Sequence, residues 1–255
     1  MSDLFYLDLN STSPKVAVLI HGLGANSNMW QFQWRELEQA GFRIIVPDMR
    51  GFGNTPYSQP NTAASMAADV LALLDELGIP KANIIGLSMG GAIAMQFALN
   101  YPERVDKLVL ANTAAKFANK FGGALYTALR YALLKIIPRH VGAEMTAKYL
   151  FPNPNHGAYR KEFVNEIMQV SEKAFMETIK GLILHNLKKQ VHNISAPTLI
   201  LGSKKDLVTP PFQQKFLEKT IPNSKLVIFE NSGHVSAVDN HEEFNRVLLD
   251  FLSSL

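Results

Sequence analysis

A serine set among glycines, Gly86-Leu87-Ser88-Met89-Gly90-Gly91, follows the apolar run Asn83-Ile84-Ile85 and precedes Ala92-Ile93-Ala94-Met95-Gln96-Phe97-Ala98. Gly-x-Ser-x-Gly between a strand and a helix puts the serine on a strained turn, because small neighbours let adjacent backbone approach closely. Without those flanks the same letters describe a glycine-rich turn with a capping serine. A serine hydroxyl attacks well only when a base takes its proton, and imidazole suits that task because its pKa lies near neutrality. Of the seven histidines, His234 stands in the short loop after Lys225-Leu226-Val227-Ile228-Phe229. His140, His156, His185 and His192 fall in a helical stretch, and His241 opens the last helix. The imidazole needs a carboxylate to hold one tautomer, and Asp206 lies in the loop after Thr198-Leu199-Ile200-Leu201. Taken alone, His234 and Asp206 are loop residues; their places at the ends of strands, with Ser88, join them. Charge developing on a substrate carbonyl oxygen needs N–H donors. Met89, at a helix N-terminus, and Leu23, in the loop His21-Gly22-Leu23-Gly24, are the backbone candidates. His21 is assigned to bracing that loop.

The elements that must position these residues alternate. Strands are predicted at Lys15 to Ile20, Arg43 to Pro47, Ala82 to Leu87, Val105 to Ala111, Pro197 to Gly202 and Ser224 to Glu230. Helical spacing marks Thr62 to Leu77, Met89 to Asn100, Pro211 to Ile221 and Glu242 to Leu252. Alternation of this kind implies an α/β fold, a mostly parallel sheet flanked by helices on both faces. The rhythm fails once, between Ala111 and Thr198, a gap of more than 80 residues. A structureless loop of that length is improbable, and helical runs such as Ala124 to Leu134, broken by Pro138, Pro152 and Pro154, predict a helical subdomain.

The 255 residues allow one large domain or a core with an insertion, and 47% hydrophobic with 18% charged residues supports a sizeable core. There is no cysteine, which excludes disulfides, thiolate metal sites and a cysteine nucleophile. The start has no basic and apolar leader, and no apolar run approaches the roughly 20 residues that span a bilayer, so a cytoplasmic protein without membrane insertion is expected. Residues 114 to 196 carry 12 Lys and Arg against 5 Asp and Glu. These basic residues are interleaved with apolar ones at helical spacing, as on a solvated helix face, and not clustered as in a nucleic-acid site.

These motifs resemble the α/β-hydrolase fold family, specifically its lid-bearing serine esterase and lactonase branch. The resemblance rests on His21-Gly22-Leu23-Gly24, Asp48-Met49-Arg50-Gly51-Phe52-Gly53, the Ser88 turn, Tyr101-Pro102-Glu103-Arg104-Val105, Asp206 and Gly233-His234. It spans nearly the whole core and keeps the family's chain order of Ser, Asp and His. The stretch Gly86 to Thr113 is similar to 3-oxoadipate enol-lactonases and related carboxylesterases. The resemblance implies that Asp48 and Arg50 are structural. It also implies that 1–113 and 197–255 form the core, with 114–196 a helical lid inserted after the sixth strand of the usual eight. The short segment before Lys15 leaves no room for the family's longer first hairpin, so about seven strands are expected. Phe117, Leu125, Leu129 and Met145 are candidates to line an acyl pocket, although helical periodicity buries most lid residues in any case. The implied activity is cleavage of a small-molecule ester or lactone through an acyl-enzyme, with no metal or cofactor; the sequence carries no signal of oligomeric state. A lactonase, a carbon–carbon bond hydrolase and a slow-turnover ligand receptor remain open as alternatives. A serine at the turn argues against the dehalogenases and epoxide hydrolases of this fold, which carry Asp there.

Overall fold

Successive residues of a strand face opposite sides of a sheet, and here both sides are buried. In the computed structural model, which describes residues 3–117 and 137–254, Val18, Ile20, Ile84 and Leu110 join one apolar cluster and Ala17, Leu19, Ile85 and Val109 the other. That two-sided burial is why the strands read as unbroken apolar runs.

The described residues form a seven-stranded sheet: β1 (Tyr6–Leu9), β2 (Val16–Ile20), β3 (Arg43–Pro47), β4 (Ala82–Leu87), β5 (Val105–Ala111), β6 (Thr198–Ser203) and β7 (Ser224–Phe229), in the order β1-β3-β2-β4-β5-β6-β7. Only β1 runs antiparallel, with Tyr6 opposite Pro47. Helices α1 (Gln31–Gln39), α8 (Ser236–Asp239) and α9 (His241–Ser253) cover one face, while α2 (Ala63–Glu76), α3 (Met89–Asn100) and α7 (Pro211–Thr220) cover the other. The chain builds outward from β2 to β3, then crosses to β4 on the opposite side of β2. Loops leaving β2 and β4 therefore part from one another, opening a crevice at the carboxyl edge of the sheet.

All six predicted strands and all four predicted helices are present. Neither β1 nor α1 is marked by its own residues, for local reasons. β1 has four half-buried residues and is held at the edge by pairing with β3 and by an Asp8–Arg43 ion pair of 2.7 Å. In α1, QFQWRELEQ, only Gln33 and Leu37 are buried, so it shows almost no apolar stripe.

Between β5 and β6 lie α4 (Arg139–Leu150), α5 (Gly157–Gln169) and α6 (Glu172–Leu184). Pro138 precedes α4, and Pro152 and Pro154 separate α4 from α5, as the sequence predicts. The predicted helical run Ala124 to Leu134 lies outside the described residues. The excursion is closed at its base: Leu187 N–H donates to the Ala115 carbonyl at 2.7 Å, and Lys116 and Asn186 form an antiparallel bridge. Ala143, Ala147 and Phe163 of α4 and α5 join the cluster on the α1 face, whereas Ala174 of α6 joins the opposite one. The helices between β5 and β6 thus pack on both apolar layers.

One ionisable group is caught in this packing. Burial of Glu166 on α5, with like charge from Glu162 and Asp48, lifts its carboxyl to about 7 against a hydrogen bond from Asn26 that lowers it. A carboxyl raised in the native state favours folding while protonated, and that contribution is lost as pH rises through the native value. Glu166→Gln should therefore gain thermal stability relative to the parent as pH rises from about 4.5 to about 7. A melting-temperature difference independent of pH would contradict this.

Candidate active site

The elbow after β4 explains its own sequence. Ser88 has φ 56 and ψ −112, a conformation that costs a residue with a side chain on the order of 1–3 kcal/mol and must be held by its surroundings. Its N–H donates to the Ala111 carbonyl at 2.9 Å, and its carbonyl accepts from Thr113 Oγ1 at 2.7 Å. Both restraints come from the end of β5. A Cβ at Gly86 would lie 2.1 Å from the Gly90 carbonyl oxygen, one at Gly90 would lie 2.0 Å from that of Ile20, and one at Gly91 would meet the Thr113 side chain at 2.5 Å. Gly-x-Ser-x-Gly-Gly is thus the pattern that lets β4, the start of α3, β2 and the β5 loop touch.

Three strands deliver the polar groups. His234, after β7, has Nε2 2.8 Å from Ser88 Oγ and Nδ1 2.9 Å from Asp206 Oδ2. Asp206, after β6, is 1% exposed, and its carboxylate is fully coordinated. Oδ1 accepts from the Val208 and Thr209 amides at 2.8 and 2.9 Å; Oδ2 accepts from Thr209 Oγ1 at 2.7 Å and Asn112 Nδ2 at 2.9 Å as well as from His234. Burial alone pushes this carboxyl up, but the charge and hydrogen bond of His234, with hydrogen bonds from the Thr209 amide and the Asn112 side chain, outweigh it, so it rests below the ordinary carboxylate value. An ionised Asp206 accepts Nδ1–H, which leaves Nε2 free to take the Ser88 proton. The His234 loop is anchored by Asp239, whose carboxylate accepts from Ser232 Oγ at 2.5 Å and Gly233 N–H at 2.8 Å. Its backbone also ties to the insertion, His234 N–H donating to the Leu150 carbonyl at 3.2 Å.

The loop after β2 closes on the elbow, since a Cβ at Gly22 would lie 3.7 Å from Ser88 Cβ. Met89 N–H is among the first amides of α3, which lack an intrahelical acceptor. His21 braces this loop as expected. Buried and kept neutral by burial, its Nε2 accepts the Met49 amide at 2.9 Å while Nδ1 donates to the Gly22 carbonyl at 2.8 Å. Asp48 accepts the Ser27 and Asn54 amides at 2.7 and 2.8 Å and packs against Gly53, while Arg50 pairs with Asp69, so both members of the Asp-x-Arg segment are occupied structurally.

A hydroxyl, an imidazole and a carboxylate in hydrogen-bonded line at the crevice of a parallel sheet can perform acyl transfer. The family model described as alpha/beta hydrolase fold matches residues 16–241. The chain belongs to this family. Among relatives, it is 31% identical to the AB hydrolase superfamily protein YisY of Bacillus subtilis, over 98% of this chain and 96% of that protein. It is 28% identical to 3-oxoadipate enol-lactonase 2 of Acinetobacter baylyi, over 96% of this chain and 91% of the relative. Among solved structures, an esterase from Exiguobacterium antarcticum superposes with a TM-score of 0.92 at 27% identity, covering 98% of this chain and 96% of the other.

Within this α/β-hydrolase, the structure brings Ser88, Asp206 and His234 together, sets His21 in the loop beside them and leaves His156, His185 and His241 elsewhere. His241 stacks on Phe32 at 4.2 Å, His156 packs on Tyr159, and His185 is buried beside Phe117, where desolvation lowers its pKa to about 4. Of the pocket candidates, Phe117 packs against the core, whereas Met145 is 59% exposed and turns to solvent while its helix neighbours Ala143 and Ala147 are buried. Met145 thus stands on the exposed side of α4, whose buried Ala143, Ala147 and Leu150 face the core. Leu125 and Leu129 lie outside the described residues. Among the described residues there is no cluster of three or more His, Asp or Glu able to hold a metal, and no helix is long and apolar enough to cross a membrane. Sequence reasoning missed Asn112, Thr113, Thr209 and Asp239. For Asn112 and Thr113 the available signal was a pair of polar residues placed immediately after an apolar strand.

Close packing at the elbow makes a stability prediction. Gly90→Ala should destabilise by about 3 kcal/mol or more in chemical denaturation, because the methyl meets backbone that cannot yield. Gly157→Ala, where an added Cβ meets nothing within 4 Å, is the control and should stay within roughly 0.5 kcal/mol of the parent.

Proposed function

We propose that this α/β-hydrolase cleaves carboxylic esters of small molecules through a Ser88–His234–Asp206 triad and an acyl-enzyme. The single observation that carries the reading is the buried His234 ring bridging Ser88 Oγ at 2.8 Å and Asp206 Oδ2 at 2.9 Å. Ser88 Oγ attacks the carbonyl carbon as His234 Nε2 takes its proton. The tetrahedral oxyanion is held by the amides of Leu23 and Met89, neither of which donates to an acceptor among the described residues. Collapse expels the alcohol, which takes the proton from Nε2. Water then attacks the acyl carbon, His234 again accepts a proton, and the acid leaves as Ser88 Oγ is reprotonated. Asp206 keeps Nδ1 protonated and stabilises the imidazolium throughout.

In this reading residues 114–196 act as a lid over a core of 1–113 and 197–255. The contacts of Ile167 with Gly24, Ala174 with Gly51 and Pro152 with Gly233 set the insertion against loops leaving β2, β3 and β7. Its excess of 12 basic over 5 acidic residues favours an anionic substrate. A second reading, opening of an acid-bearing lactone by the same steps, is supported by that charge and by the likeness to the enol-lactonase of Acinetobacter baylyi.

A panel of p-nitrophenyl esters of graded acyl length, with lactones alongside, tests class and pocket together. Ser88→Ala should lower kcat by about 10⁴-fold or more on every substrate that the parent turns over. Turnover equal to the parent's would sink the triad. For an acidic ester, kcat/KM should fall with added salt while that of a neutral ester of equal size stays level; equal salt responses would remove the anionic-substrate reading.

A further inference from the structure

Asn112 is the first residue after β5, fully buried, with φ 43 in the left-handed region that asparagine tolerates. Its backbone N–H extends the sheet by donating to the Leu201 carbonyl at 2.8 Å. Its side-chain amide reaches four separate places. Nδ2 lies 2.9 Å from Asp206 Oδ2, 3.0 Å from Ser203 Oγ and 3.4 Å from the Gly233 carbonyl, while Oδ1 accepts from Ser236 Oγ at 2.6 Å. Those partners belong to the end of β6, the loop carrying Asp206, the loop carrying His234 and the start of α8.

The orientation of the amide follows from its partners. A carboxylate and a carbonyl only accept, so the NH₂ must face Asp206 and Gly233, and the oxygen must face the Ser236 hydroxyl. The amide is also the one side chain among the described residues that bonds Asp206 from the β5 side, the others coming from the Asp206 loop itself and from His234.

We propose that Asn112 is a positioning residue for the triad, its Nδ2 fixing Asp206 Oδ2 toward His234 Nδ1. This rests on the triad reading above. The residue type follows from the role. Serine or threonine at this position would fall short of Asp206, and leucine would leave Asp206, Ser203 and Ser236 each without a partner they now have. An ionised aspartate would set a second carboxylate about 2.9 Å from the first, where both cannot easily carry charge. A carboxyl at 112 can therefore imitate the amide only while protonated, when its O–H donates to Asp206.

Two variants test this without forcing the backbone. Asn112→Gly accepts φ 43 and removes the side chain; Asn112→Asp keeps the shape and makes the donor titratable. For Asn112→Gly, kcat on a p-nitrophenyl ester should fall by roughly 10- to 100-fold, with KM within about threefold of the parent's. For Asn112→Asp, the ratio of its kcat/KM to the parent's should fall by about tenfold or more as pH rises through loss of the shared proton. A purely structural residue would give a ratio that does not change with pH. Parent-like kinetics in both variants, a pH-independent ratio for Asn112→Asp, or failure of both to fold would each overturn the proposal, the last because the amide would then hold the fold and not the triad. If Asn112→Gly alone fails to fold, the pH dependence of Asn112→Asp decides. Ser88→Ala in the same assay separates the two levels: an active Ser88→Ala defeats the triad, whereas a dead Ser88→Ala beside parent-like Asn112 variants defeats only the role of Asn112.

Discussion

Taking a carboxylate out of water costs on the order of several kcal/mol unless donors replace the water, and Asp206 meets that demand with five. The donors come from its own loop, from Asn112 after β5 and from His234 after β7. Such a group cannot be assembled by local chain geometry. It requires β5, β6 and β7 to lie side by side and in register, as they do with Ala111 opposite Leu201 and Ser203 opposite Phe229. The same sheet register that buries alternating Val, Leu and Ile residues on two faces therefore brings the three loops to one edge. Asp206 in turn holds the imidazole, and the imidazole meets Ser88.

The other half of the site depends on distance, not charge. Ser88 keeps a strained backbone because α3, β2 and the β5 loop crowd it at positions where only glycine fits. Thr113 illustrates the economy of this packing. Its hydroxyl holds the Ser88 carbonyl, its side chain fills the space beside Gly91, and its own carbonyl accepts from Gln214 Nε2 on α7 at 2.9 Å. Neighbouring residues 112 and 113 thus serve opposite arms of the site, Asn112 bonding Asp206 and Thr113 the Ser88 elbow.

The insertion is bound into this arrangement. Its α4 end accepts the His234 amide, α5 touches Gly24 beside the loop that faces Ser88, and α6 touches Gly51 after β3. Glu166, half-buried where α5 meets Asn26, places an ionisable group at that same contact.

The residue types and spacing carried the strand and helix alternation and the serine turn, and singled out Ser88, Asp206 and His234 as the side chains that the fold then brings within hydrogen-bond reach. Apolar runs and glycine clusters are local signals, and each states its own requirement within a few residues. What was illegible had no local signature. β1 is a strand only because Ile44 to Pro47 pair with it, and α1 shows two buried residues of nine. Met145 had the composition of a pocket residue, but the face it occupies depends on which side of α4 meets the core. Asn112 is the sharpest case. In the sequence it is one polar residue after a strand, and its four side-chain partners stand 91 to 124 residues away along the chain. Hydrogen bonding at that separation is decided by sheet order and by loop convergence, which only the folded chain possesses.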